Sequence, residues 1–327
     1  MIVASTPLRI SFFGGGSDLP AFTAKETGAT LAVTINKYVH VIVKENDRKL
    51  RFIHEDISDL DTMRNPIAAA IFKAYGITEG YDVISLSDVP AIGSGLGGSS
   101  AFTISLIRAF NQQYLLPTDV AKMAVEIEVD KCNYPIGIQD QYVIAKGGMH
   151  LYKFYNTPRE GVIQTTFNIK SDMIQTLESR LLLIHSGLNR QSTAGTILQE
   201  QQEEMNINEE KFASVRRIRD RAFMGMEFLN TGKLDAFGEL LHINWMDKKK
   251  LTNSLSNVLF DDMYEFALNN GAIGGKLLGA GGGGFFLFYS PTSELKQLLS
   301  TNLKANFPNS AEFPFNFVGH STKITRI

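Results

Sequence analysis

Hydrophobic and polar positions alternate between strand-like and helix-like periods along the whole chain. Leu31–Lys44 is rich in β-branched residues and predicts a strand or a bent pair of strands, and Lys49–His54 predicts the next strand. Asn65–Tyr75 predicts a helix with Asn65 as N-cap, Pro66 in the first turn and Gly76 as the stop. Tyr81–Leu86 reads as a short strand, Ser100–Tyr114 is apolar at helical spacing, and a further helix is predicted from Thr118 to about Lys131, capped by Thr118 or Asp119. The chain returns to strand around Gly147–Phe154 and again at Leu181–His185. Ala194–Leu229 predicts helix, charged on one side and broken once. Helices over Leu234–Leu251 and Leu259–Leu268, strand Phe285–Tyr289, helix Ser293–Leu303 and closing strands complete the pattern. Mixed elements of this kind imply an α+β fold. Composition shifts gently near 155–180, which predicts two domains, 1–175 and 176–327.

Composition narrows the function classes. The 327 residues are 44% hydrophobic and 20% charged, enough for a large core and unlike a disordered chain. With 32 basic and 34 acidic residues the formal net charge is -2, which argues against a dedicated nucleic-acid binder. Cys132 is the single cysteine, so neither an internal disulfide nor a cysteine zinc cluster can form, in keeping with a cytoplasmic protein. The N-terminus lacks the marks of a signal peptide, and no apolar run reaches the ~18 residues of a membrane span.

Three segments carry candidate chemistry. Gly93-Ser94-Gly95-Leu96-Gly97-Gly98-Ser99-Ser100-Ala101 leads from a strand into a helix. Its glycines let the backbone approach a ligand closely, and a helix N-terminus offers unpaired N–H groups to phosphate. No lysine follows as in a P-loop, and a flexible turn before a helix would read the same way. The second segment, Lys276 to Gly284, is glycine-dense between apolar flanks, which favours close backbone approach over a mobile loop. The third holds Glu126-Ile127-Glu128 followed by Gly137-Ile138-Gln139-Asp140-Gln141. Phosphoryl transfer needs a carboxylate to hold Mg²⁺ and a residue to orient or deprotonate the nucleophile. Glu128 and Asp140 could serve, although each alone reads as readily as a surface or turn-capping charge.

Together with Pro7-Leu8-Arg9 and Gly14-Gly15-Gly16-Ser17-Asp18, these segments resemble, in order and across nearly the whole chain, the GHMP kinases. The resemblance implies a two-domain GHMP-kinase fold, with an N-terminal domain like the second domain of ribosomal protein S5 and a ferredoxin-like C-terminal domain. It also implies ATP and Mg²⁺ as cofactors. Asp140 matches the catalytic aspartate and Arg9 the basic residue of the first motif. The Gly93–Ala101 loop matches the nucleotide loop, and Ser100 (or Ser99, because this loop has an extra residue) and Glu128 match the metal ligands. Asp18 matches the residue that bonds sugar hydroxyls. Gly15-Gly16 replaces the Glu-His pair of galactokinases, which speaks against galactose and is similar to the branch of heptose 7-phosphate kinases and fucose-kinase-like proteins. On that resemblance, Gly14–Ser17 is expected to bind a phosphate already on the sugar. Gly281 and Gly282 are expected beside the substrate, with Arg190 able to reach its phosphate. The implied reaction phosphorylates the anomeric hydroxyl of a sugar. The alternatives are a fucose or other hexose kinase and a non-catalytic sugar and ATP sensor. Outside the motifs, Lys276 reads as a surface charge, Lys248-Lys249-Lys250 as cations suited to a helix end, and Trp245 as helix packing.

Overall fold

The computed structural model describes residues 1–53, 55–90, 93–111, 113–156, 161–167, 169–188 and 193–327, without the side chains of residues 55 and 253. Arg190 and Ile92 fall outside the described residues. The strands are β1 (Ile2–Phe13), β2 (Gly28–Phe52), β3 (Glu55–Ile57), β4 (Glu79–Ser87), β5 (Met149–Phe154), β6 (Val162–Thr165), β7 (Leu181–His185), β8 (Gly274–Leu277), β9 (Phe285–Tyr289), β10 (Ala311–Glu312) and β11 (Lys323–Arg326). The α-helices are α1 (Pro20–Thr23), α2 (Pro66–Tyr75), α3 (Gly98–Phe110), α4 (Pro117–Val125), α5 (Gln139–Lys146), α6 (Ser171–Arg180), α7 (Ala194–Ile207), α8 (Glu209–Thr231), α9 (Leu234–Lys249), α10 (Val258–Asn269) and α11 (Ser293–Asn306).

The first sheet runs β11-β1-β2-β5-β6, with β3 and β4 also pairing β2; the second runs β10-β7-β9-β8. All pairings are antiparallel. The second sheet is therefore the expected antiparallel layer, and β11 carries the chain's end back to β1.

The expected separation of Leu31–Lys44 from a next strand at Lys49–His54 is absent: β2 is one strand of 25 residues. Its bend is absorbed by a bulge, because Pro7 pairs Tyr38 whereas Leu8 pairs Ile35, leaving extra residues on β2. Asn65 does cap α2, its side chain accepting from the Ala68 N–H, and Gly76 ends the helix with φ +65°. The predicted side-chain cap at Thr118 or Asp119 is not made; α4 starts at Pro117 after Leu116. The predicted break in the long helix falls at Asn208, which ends α7 and caps α8.

Phe12 and Phe13 at the end of β1 pack edge-on against Phe237 of α9, at 5.2 and 5.1 Å between ring centroids. This contact joins the two sheets through one core. All five residues of β9 are buried. Phe285, Leu287 and Tyr289 face that shared core, whereas Phe286 and Phe288 pack with Phe260, Met263 and Tyr264 of α10 and Leu299 of α11. No helix among the described residues is long and apolar enough to cross a membrane.

Candidate active site

The alternation of β1 buries Leu8 and Ile10 in the core and leaves Arg9 and Ser11 on the face that meets α5. Arg9 Nε and Nη2 donate to the two oxygens of Asp140, at 2.8 and 2.7 Å, and Nη1 donates to the Gly95 carbonyl at 2.6 Å. One guanidinium thus spans the carboxylate at the start of α5 and the glycine loop before α3. Both line a cavity of about 630 Å³.

The glycine loop delivers a bare helix end to that cavity. Gly97, with φ +77°, stands at the N-cap of α3 and no side chain caps the helix, so its first N–H groups are left for an anion. Gly93, Ser94, Gly95, Gly97, Gly98, Ser99 and Ser100 line the cavity. Leu96 and Ala101 do not; both are fully buried in the core.

The third glycine segment builds the loop's support. A Cβ on Gly95 would lie 2.4 Å from the Leu278 carbonyl oxygen, and one on Gly279 would lie 2.5 Å from the Gly95 Cα. The two segments therefore touch backbone to backbone, which only glycine allows. Gly281 and Gly282, expected beside the substrate, instead pack on Leu255: the Gly282 N–H donates to its carbonyl at 2.9 Å. From this turn Gly279 and Ala280 reach the cavity.

Glu128 lies on a π-helical turn, Glu126–Lys131, that continues α4 where one regular helix was expected. Such turns recur at functional sites because they re-aim side chains. Ser100 Oγ and Gln141 Nε2 donate to Glu128 Oε2 at 3.0 and 2.9 Å, whereas Oε1 is buried with no hydrogen-bond partner. Burial pushes the carboxyl up to about 7, against the lowering effect of the nearby Thr103 hydroxyl and of the Ser100 and Gln141 donors. Ser100 is buried beside it and Ser99 is exposed, so of the two serines Ser100 is the one joined to Glu128.

Asp18 enters the cavity from the loop after β1. It accepts from the Gln139 backbone N–H and Nε2, both at 3.0 Å, and from the Gly16 N–H at 3.3 Å. Burial raises its carboxyl to about 6 despite the Gln139 N–H. Gly137 makes this approach possible, since a Cβ there would sit 1.9 Å from Asp18 Oδ2. Gly15 and Gly16 line the cavity, but Gly14 and Ser17 do not. Ser17 Oγ shares its one O–H between the Gly14 and Ala29 carbonyls, at 2.7 and 3.0 Å, and accepts from the Ala29 N–H, so it braces the loop against β2. Of the Gly14–Ser17 run expected to bind phosphate, Gly15 and Gly16 reach the cavity.

Sequence reasoning missed two lysines. Lys276 is buried, lines the cavity, and donates to the Ser11 and Phe12 carbonyls at 2.8 and 2.9 Å. Lys248, also buried and lining, donates to the Gly279 carbonyl at 2.5 Å. Gln139 and the start of α7 were missed as well; Thr193 and Thr196 line the far wall. A second cavity of about 530 Å³, walled by apolar Phe52, Met63 and Ile67 and by polar Asp59, Thr62 and Asn65, adjoins the first through Tyr134, which lines both.

Residues 63–148 match the GHMP kinases N terminal domain and residues 226–309 the GHMP kinases C terminal domain. D-glycero-alpha-D-manno-heptose 7-phosphate kinase of Campylobacter jejuni is 30% identical, over 100% of this chain and 99% of its own. A D-glycero-D-manno-heptose 1-phosphate kinase structure from Bacteroides thetaiotaomicron aligns with a TM-score of 0.79 at 23% identity, covering 100% of this chain and 99% of that one. Galactokinase of Lactococcus lactis, complexed with galactose, aligns with a TM-score of 0.73 at 14% identity, over 98% and 95% of the two chains. With both domain matches and a full-length relative, the chain belongs to the GHMP kinases.

Proposed function

We propose that this kinase transfers the γ-phosphoryl group of ATP to the anomeric hydroxyl of D-glycero-D-manno-heptose 7-phosphate, giving the 1,7-bisphosphate. The observation that carries the transfer is the Arg9 guanidinium shared between Asp140 and the Gly95 carbonyl, which ties a candidate base to a candidate phosphate cradle. The full-length likeness to the Campylobacter jejuni heptose 7-phosphate kinase supports the choice of sugar.

In this reading the triphosphate lies against the uncapped start of α3, where N–H groups and the helix dipole meet its charge. The nucleoside extends past Tyr134 into the second cavity, whose wall mixes apolar side chains with Asp59, Thr62 and Asn65. Asp18, fixed by Gln139, accepts from sugar hydroxyls, while Gly15 and Gly16 leave room for the sugar. Asp140 takes the proton of the attacking hydroxyl. Each of its oxygens accepts one Arg9 N–H and keeps a lone pair for that hydroxyl. Arg9 remains charged throughout and faces the negative charge that develops on the oxygen.

Mg²⁺ fits the same site. Glu128 Oε1 is a buried oxygen without a partner, and Ser100 Oγ adjoins the same carboxylate. Glu128 and Ser100 would hold the ion, and it would supply charge neutralisation at the phosphates.

A panel of sugars and sugar phosphates, with ADP release as the readout, tests the assignment. Turnover with heptose 7-phosphate well above that with fucose, galactose or mevalonate is expected. Preference for an unphosphorylated sugar would overturn the substrate, and ATP binding without turnover on any acceptor would favour a sensor.

A further inference from the structure

Lys276 and Lys248 are buried cations of the cavity that the reading above leaves without a task, and Lys276 is the more deeply buried. The residue is 2% exposed, and its ammonium bonds two backbone carbonyls of β1. Among the described residues it forms no ion pair with a carboxylate. Its charged neighbours are Lys248 of α9 and Arg9 of β1, and both oppose its charge. The other groups facing this region are committed elsewhere: Asp140 of α5 to Arg9, Asp18 to Gln139, and Asp247 of α9 to Arg217 and Arg221. β9, the strand beside β8, contributes only apolar residues and Tyr289.

Tying two carbonyls together needs donors but not a charge. A buried charge without a countercharge is costly, so a lysine here is accounted for when an anion arrives. An ammonium also has three N–H donors, and the two carbonyls use two of them.

We propose that Lys276 is a phosphate-binding residue of this site, held by the Ser11 and Phe12 carbonyls so that its third N–H meets a phosphate oxygen of the bound ligand. This rests on the kinase reading, in which both ATP and the acceptor carry phosphate. The same geometry couples the ligand to the end of β1, which also carries Arg9 and Ser11. In the free protein, burial first and then Lys248 and Arg9 hold the amine well below the usual lysine range. A bound phosphate reverses that balance, so binding takes up a proton.

The test is calorimetric titration of the full chain, at pH 8 in two buffers of different ionisation enthalpy. The probes are a non-hydrolysable ATP analogue with Mg²⁺, heptose 7-phosphate and inorganic phosphate. Wild type is expected to take up protons with at least one phosphate-bearing probe. Lys276→Met should lose that uptake and bind the same probe about tenfold or more weakly, as expected for a charge-assisted hydrogen bond. The probe affected identifies the source of the phosphate. Lys276→Gln keeps an N–H donor without the charge and serves if the methionine variant does not fold. Variants that bind both organic probes as wild type does would overturn the role. Failure of wild type to bind either organic probe would instead overturn the kinase reading beneath it.

Discussion

Arg9 holds Asp140 by both carboxylate oxygens, at 2.8 and 2.7 Å, although 131 positions separate the two in the chain. The pairing fixes the carboxylate's plane as well as its position, because the guanidinium fork matches it edge to edge. If Asp140 takes the proton, Asp140→Asn should lower kcat about 10²–10⁴-fold while leaving affinity for a non-hydrolysable ATP analogue unchanged. An unchanged kcat would remove Asp140 from that role.

Arg9→Lys keeps a positive charge and loses the fork. One charge-assisted hydrogen bond is worth ~1.5–3 kcal/mol, so kcat should fall about 10- to 100-fold. Steady-state kinetics would show the loss in kcat more than in either KM. A variant with wild-type kcat would mean that charge alone suffices.

Glu128 and Asp18 give the ligand-free protein a pH dependence of defined sign. The Glu128 carboxyl rises from 4.5 to about 7 and that of Asp18 from 3.8 to about 6, both first through burial. The folded state therefore holds protons that the unfolded chain releases, and stability is lost as pH rises through this window. At about 1.36 kcal/mol per pH unit, the Glu128 contribution is on the order of 3 kcal/mol. The melting temperature of the ligand-free protein should fall between about pH 4.5 and 7, and less so in Glu128→Gln. Equal pH slopes for the two proteins would refute the assignment. Binding of the metal nucleotide calls for the ionised form, so kcat/KM should rise with pH through about 7.

Gly137→Ala and Gln139→Leu act on Asp18 from two directions. The first places a Cβ 1.9 Å from Oδ2. The second removes the Nε2 donor to Oδ1, leaving a buried acceptor at a cost of ~1–3 kcal/mol. Both should raise KM for the sugar about tenfold and spare KM for ATP, provided Asp18 binds sugar. A rise in KM for ATP instead would place Asp18 on the nucleotide side.

Gly95→Ala and Gly279→Ala break the contact between the two glycine segments, at φ +75° and +70°. Strain and overlap together should cost ~2–4 kcal/mol, read in chemical denaturation, along with weaker binding of the ATP analogue. Wild-type stability in both variants would mean that the segments part without penalty.

The layout was legible where local chemistry decides it. The Asn65 cap, the Gly76 stop and the buried run of β9 follow from side-chain type and period. The motif residues Arg9, Ser100, Glu128 and Asp140 could be named because their order along the chain resembles a known pattern. What periodicity does not encode is the partner of a backbone group. Lys276 looks like a surface charge until the fold brings the end of β1 within reach and its carbonyls are seen to hold the ammonium. Ser17 and Gly281 look like ligand contacts for the same reason; only the fold shows their bonds and volumes spent on Ala29 and Leu255. Arg190 belongs to the undescribed residues, so its expected contact with the substrate phosphate stays with the sequence reading.

A phosphorus NMR spectrum of heptose 7-phosphate incubated with ATP, Mg²⁺ and the protein decides where the phosphoryl group goes. A new resonance coupled to the anomeric proton, growing as ATP is consumed and missing with Asp140→Asn, is the expected result. A phosphate appearing at another carbon, or none while ATP and sugar are bound, would contradict the proposed transfer.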